Sequence, residues 1–194
     1  MTYELKKASI LVIDDMQPMM ALTASLLKIL GFSDIHQASD ADVGWHKFCQ
    51  YNPDIVLTDW LMEPYDGLQL VKKIRNDPAS PNRFVPVILM TGFSHRLRVE
   101  QARDIGVTEF LVKPFRAKDM FARVEMLIEK PRRFVETGQF FGPDRRRRKG
   151  DDYQGPFRRE NDDGTVAGAS PTQDADALLR KLREEAHTKA QGKK

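Results

Sequence analysis

Five polar side chains sit where short apolar runs end. Asp14 and Asp15 follow Ala8 to Ile13, and Asp59 follows Asp54 to Thr58. Thr91 follows Val85 to Met90, and Lys113 follows Val107 to Val112. Three carboxylates gathered in one place repel each other, so a hard divalent cation is the natural way to neutralise them. Mg²⁺ suits carboxylates plus waters. A carboxylate held beside such a metal can attack a phosphoryl group in line and form an acyl phosphate. The metal, the ammonium of Lys113 and the hydroxyl of Thr91 would then share the charge on the equatorial oxygens.

That chemistry requires the run ends to meet, and the pattern around them says how. The four runs are rich in β-branched residues and almost continuously apolar, as parallel strands buried on both faces should be. A weaker run, Asp34 to Ala38, fits an edge position. Helical spacing separates them. Met19, Leu22, Leu26, Leu27 and Leu30 precede Gly31, and Val43, Phe48 and Tyr51 precede Pro53. Leu68, Val71 and Ile74 mark a third helix, and Val99, Ala102 and Ile105 a fourth ended by Gly106. Met120, Val124, Leu127 and Ile128 mark a fifth that Pro131 closes. Five strands, each followed by a helix, require an α/β fold with a parallel sheet covered on both faces. In a doubly wound sheet with the first and third strands adjacent, the acids converge at one crevice beyond the strands' carboxyl ends.

Residues 6–130 resemble the receiver domain of two-component response regulators. The resemblance rests on Ile13-Asp14-Asp15, Leu57-Thr58-Asp59-Trp60-Leu61-Met62, Asp66-Gly67, Met90-Thr91-Gly92 and Lys113-Pro114-Phe115, in order and suitably spaced. It implies a flavodoxin-like doubly wound (βα)5 sheet of strand order 2-1-3-4-5. It also implies that Asp59 is the phosphoacceptor, taking its phosphoryl group from a sensor histidine kinase or phosphotransfer protein. Asp15, with Asp14 and Asp59, would hold Mg²⁺, completed by the backbone carbonyl of Leu61. Thr91 and Lys113 would bind the phosphoryl group, and Phe110 would be the aromatic switch partner of Thr91. The Lys113–Pro114 peptide is expected to be cis, and no enzymatic activity beyond self-phosphorylation and dephosphorylation is implied. Two departures stand out. Glu63 intervenes before Pro64 where proline commonly follows the methionine directly, and Gly92 replaces the usual alanine.

Other features take plainer readings. His36, His46, His95 and His187 show no metal spacing, and Cys49 reads as a small packed side chain. Trp60 reads as a rim residue beside Asp59, and Met16, Met19 and Met20 as ordinary packing. One cysteine excludes an internal disulfide framework. No apolar run approaches the roughly 18 residues a membrane span needs, so a cytoplasmic location is expected.

Hydrophobic residues make up 41% of the 194, charged residues 30%, and the net charge is +3. The charge is unevenly placed. Residues 1–130 hold 16 Lys+Arg and 17 Asp+Glu, and residues 131–194 hold 15 and 11. The basic character therefore belongs to the last third. The expected organisation is a receiver at 1–130, a flexible Gly/Pro-containing linker at 131–172, and an amphipathic helix with a frayed end at 173–194. In that helix Ala175, Leu178, Leu179, Leu182 and Ala186 form one stripe. Composition makes most of the tail a candidate for disorder.

As further partners the receiver resemblance implies an unknown downstream protein target and a phosphorylation-dependent dimer. The run Arg145-Arg146-Arg147-Arg148-Lys149 adds nucleic acid, although Asp144, Asp151 and Asp152 flank it and no helix-turn-helix pattern follows. A phosphorylation-independent adaptor acting through its tail is the other alternative. Leu61 and Phe93 stand two residues after Asp59 and Thr91, and neither can orient an attacking water. A phosphoryl group on Asp59 should therefore be lost slowly; radiolabel decay should outlast that of receivers with polar residues there, and loss within seconds would contradict this.

Overall fold

A computed structural model describes residues 5–92, 96–137 and 140–144. Five strands, β1 (Ser9–Ile13), β2 (Asp34–Ala38), β3 (Ile55–Asp59), β4 (Val87–Thr91) and β5 (Glu109–Val112), form one sheet. All neighbouring pairs are parallel, in the order β2-β1-β3-β4-β5. Five helices alternate with them: α1 (Gln17–Leu30), α2 (Ala41–Tyr51), α3 (Gly67–Asn76), α4 (Arg96–Ile105) and α5 (Ala117–Glu129). The flavodoxin-like doubly wound expectation holds over this part.

Alternation along the strands builds two cores. Ile10, Val12, Leu57, Ile88, Met90 and Leu111 face α1 and α5, where Met20, Leu27, Met120 and Val124 meet them. Leu11, Ile13, Val56, Val87 and Leu89 face the other way, toward Phe48 of α2, Leu70, Val71 and Ile74 of α3, and Ala102 of α4. Because side chains alternate at a period of two, a continuously apolar strand can feed both layers at once. The central β3 and β4 are buried at every position, whereas the edge strand β2 is buried only at Ala38.

Strand limits shift slightly from the sequence expectation, for local reasons. Asp54 leaves the ladder and its carboxylate accepts hydrogen bonds from the Ser9 backbone and hydroxyl, at 2.8 and 2.9 Å. Pro86 lacks an N–H, so β4 begins at Val87 although Val85 is fully buried. Thr108 precedes β5 because its hydroxyl accepts from the Val87 N–H at 3.0 Å. These shifts place Asp59 and Thr91 as the last residues of their strands.

The larger departure concerns the segment expected to be a linker from residue 131. Phe134–Thr137 (β6) and Phe140–Pro143 (β7) pair as an antiparallel hairpin. It packs on α4 and the end of α3. The scattered phenylalanines explain why. Phe134 and Phe141 each meet Phe84 edge-on, with ring centroids 5.2 Å apart. Under them lies Arg75, fully buried, donating to the carbonyls of Gly106 and Arg83. Burial and the facing Arg83 push its pKa down to about 9, which leaves it charged at neutral pH. Gly/Pro content signalled flexibility, but three packed aromatic rings, with Arg75 over Phe134 and Arg83 over Phe141, bury enough surface to order the chain. The arginine run at 145–149 and the 173–194 stripe lie outside the described residues.

Candidate functional site

β1 and β3 are neighbours, so their carboxyl ends bring Asp14, Asp15 and Asp59 together at the point where strand order reverses. One ligand oxygen from each lies within 4.8 Å of the others. Asp14 is fully buried, Asp59 is 7% exposed and Asp15 is open to solvent.

Lys113 closes the cluster from β5. Its Nζ lies 3.0 Å from Asp14 Oδ2 and 3.0 Å from Asp59 Oδ2. The remaining oxygens are also held. Asp14 Oδ1 accepts from the Met16 N–H at 2.9 Å, and Asp59 Oδ1 accepts from the Trp60 N–H at 2.8 Å. Burial raises the pKa of Asp59, while Lys113 opposes the shift by hydrogen bonding and charge. The neighbouring Asp14 charge raises it further, and the Trp60 N–H lowers it. The Lys113–Pro114 peptide is cis, as expected, and so is Glu63–Pro64, in the loop where proline comes one place later.

Thr91 is buried at the end of β4, and its carbonyl accepts from the Lys113 N–H at 2.8 Å. Gly92 beside it is open; a Cβ there would meet nothing within 4 Å. Phe110 is half-buried in β5 against the α2–α4 core. Leu61 follows β3 with its side chain exposed. Asp14, Asp15, Asp59, Thr91 and Lys113 thus stand at the carboxyl ends of β1, β3, β4 and β5, whereas Phe110 lies deeper, beside Leu89 of β4.

Two readings differ from the sequence expectation. Trp60 is a core residue rather than a rim residue, packed with Met62 against the α2–α4 side at 6% exposure. Cys49 is exposed on α2 rather than packed, because it lies off the buried Gly44–Phe48 face. Partial burial, with Asp77 nearby, raises its thiol pKa. Among the histidines, His36 stacks on Tyr51 at 4.0 Å and sits 3.1 Å from Asp34, a satisfied surface position.

Asp66 and Gly67 had a place in the motif but no role. Asp66 caps α3: its carboxylate accepts from the Gln69 N–H at 2.8 Å while Gln69 Oε1 accepts from the Asp66 N–H at 3.0 Å. Gly67 lets this helix start press on the site. Its N–H donates to the Trp60 carbonyl, and a Cβ there would lie 2.0 Å from the Asp59 carbonyl oxygen. The signal in the sequence was an acid three residues before Gln, followed at once by glycine.

A family model described as the response regulator receiver domain matches residues 10–125. The chain belongs to the response regulator receiver family. The chemotaxis protein CheY-3 of Vibrio cholerae serotype O1 is 30% identical over 125 residues, covering 64% of this chain and 95% of that protein. Chemotaxis protein CheY1 of Helicobacter pylori is 32% identical over 122 residues, covering 61% and 95%. Among solved structures, a receiver domain protein from Clostridium thermocellum shares 28% identity with a TM-score of 0.55, covering 61% of this chain and 91% of that one. The receiver domain of a Francisella response regulator has a TM-score of 0.57 at 24% identity, covering 62% and 96%, and speaks for the fold alone. Receivers are signalling modules that bind Mg²⁺ through acidic residues, and this one carries the acidic cluster. Among the described residues no helix is long and apolar enough to cross a membrane.

A Gly67→Ala substitution should cost about 1–3 kcal/mol, since the new methyl meets rigid backbone. It should also weaken Mg²⁺ binding by displacing Asp59. Urea unfolding and metal titration measure both; unchanged values would show that the close approach is not required.

Proposed function

We propose that Asp59 accepts a phosphoryl group from the phosphohistidine of a histidine kinase or phosphotransfer protein. The observation that carries this reading is the position of Lys113 Nζ, 3.0 Å from the carboxylates of both Asp14 and Asp59. In the transfer, the N–P bond of the phosphohistidine breaks as an Asp59 carboxylate oxygen bonds to phosphorus. The histidine, protonated on its other ring nitrogen, takes the N–P electron pair and departs as the neutral imidazole. Lys113 then has an anionic oxygen to pair with in place of the carboxylate charge. The hydroxyl of Thr91 supplies a hydrogen bond to a second oxygen. The Trp60 N–H holds one oxygen of Asp59, which orients the carboxylate for in-line approach.

The donor set suits Mg²⁺. One oxygen from each of three carboxylates lies within 4.8 Å of the others, a hard oxygen set of the kind Mg²⁺ takes. Asp14, Asp15, Asp59 and the Leu61 carbonyl would hold it. When bound, the ion supplies positive charge to the transferring oxygens. The signalling step is a two-state shift, in which Thr91 moves inward and Phe110 turns into the space vacated. The changed face is made by α4, β5 and α5, and it is read by a protein partner.

Acetyl phosphate or a cognate kinase should label the wild-type chain only with Mg²⁺ present. Asp59→Ala should abolish labelling, with loss of at least about a hundredfold in rate. A variant that still labels would refute Asp59 as the acceptor.

A further inference from the structure

The hairpin sits at the opposite edge of the sheet from the acidic pocket, and the same elements reach both places. β4 carries Thr91 at the pocket end, and Val87 at its other end exchanges hydrogen bonds with Thr108, both 3.0 Å. β5 begins at Glu109, and Lys113 directly follows it at the pocket end. The two strands are tied at both ends, since Lys113 N–H donates to the Thr91 carbonyl at 2.8 Å. They form a bar about 13 Å long between pocket and hairpin.

The hairpin straddles a seam at the far end of this bar. On one side it grips the end of α3 and the loop after it. The Arg83 guanidinium lies 3.6 Å from the Phe141 ring, and Arg75 lies 5.1 Å from that of Phe134. On the other side it rests on the end of α4, and Arg132, just before β6, ties its root to β5. Arg132 Nη2 pairs with the buried Glu109 at 3.1 Å, and its Nη1 donates to the Asp144 carbonyl at 3.3 Å. Gly142 rests on Gly106 so closely that a Cβ would lie 2.9 Å from the Gly106 Cα. Packing this close leaves no slack for relative movement of the two sides.

We propose that the β6–β7 hairpin is a latch across the α3 and α4–β5 ends, released by occupation of the Asp59 pocket and thereby freeing the root of the basic tail. The proposal rests on the phosphoacceptor reading above. A phosphoryl group draws Thr91 and re-pairs Lys113, so it displaces β4 and β5 against α3. The hairpin is the element that must give. The phenylalanine–glycine–proline portion of Phe140 to Asp144 is thus an anchor, and the arginine run begins directly behind it. Coupling is reciprocal: whatever factor occupation costs the latch, opening the latch returns to occupation.

Amide hydrogen exchange on the full chain, with Mg²⁺ alone and with Mg²⁺ plus beryllofluoride as the phosphoryl mimic, tests this. The amides of Phe134–Thr137 and Phe140–Gly142 should exchange about fivefold faster when the mimic binds. Phe141→Ala should raise the affinity for beryllofluoride by a similar factor. Arg132→Gln, a milder change, should move it in the same direction if Phe141→Ala fails to fold. Binding of the mimic with unchanged or slower hairpin exchange would overturn the latch and leave the phosphoacceptor reading standing. Absence of both mimic binding and Asp59 labelling would overturn that reading, and the latch with it.

Discussion

Lys113 Nζ sits between two buried carboxylates that would otherwise repel each other. Taking Asp14 out of solvent is costly unless its charge is compensated and its oxygens are hydrogen-bonded. The lysine provides the first condition and the Met16 N–H part of the second. The raised pKa of Asp59 shows the balance from the other side: burial outweighs the stabilising lysine. A pocket held this way is responsive, because an added cation or phosphoryl group immediately changes what Lys113 pairs with.

That responsiveness needs rigid supports, and the fold supplies them from several directions. β1, β3, β4 and β5 each deliver one element of the site from a fully or largely buried strand. The capped start of α3 presses its Gly67 on the Asp59 carbonyl. The far ends of β4 and β5 are fastened by Thr108 and Glu109, and the hairpin spans from there to Arg75 and Arg83. A change in pairing at the pocket is therefore referred to the other sheet edge rather than absorbed locally.

Periodicity and residue type made the sheet, its five helices and the acidic pocket legible. Continuous β-branched runs identify buried parallel strands, and their polar terminators point to one edge. Burial of Trp60 was not legible, because a large aromatic beside a polar site suits either rim or core. Cys49 was misjudged because its helix is amphipathic with a narrow buried face at Gly44 and Phe48. The hairpin was missed for a tertiary reason. Phe134 and Phe141 are ordered by Phe84, Arg75 and Arg83, which lie about fifty residues earlier and show no local pattern.

With Mg²⁺ held by Asp14, Asp15 and Asp59 as proposed, Lys113 and the cation compete for the same carboxylate oxygens. Calorimetric Mg²⁺ titration of Lys113→Met against the wild-type chain tests it directly. Removing the ammonium that pairs with both carboxylates should tighten Mg²⁺ binding by roughly tenfold or more even under water-like screening. Equal or weaker binding in the variant would contradict the account.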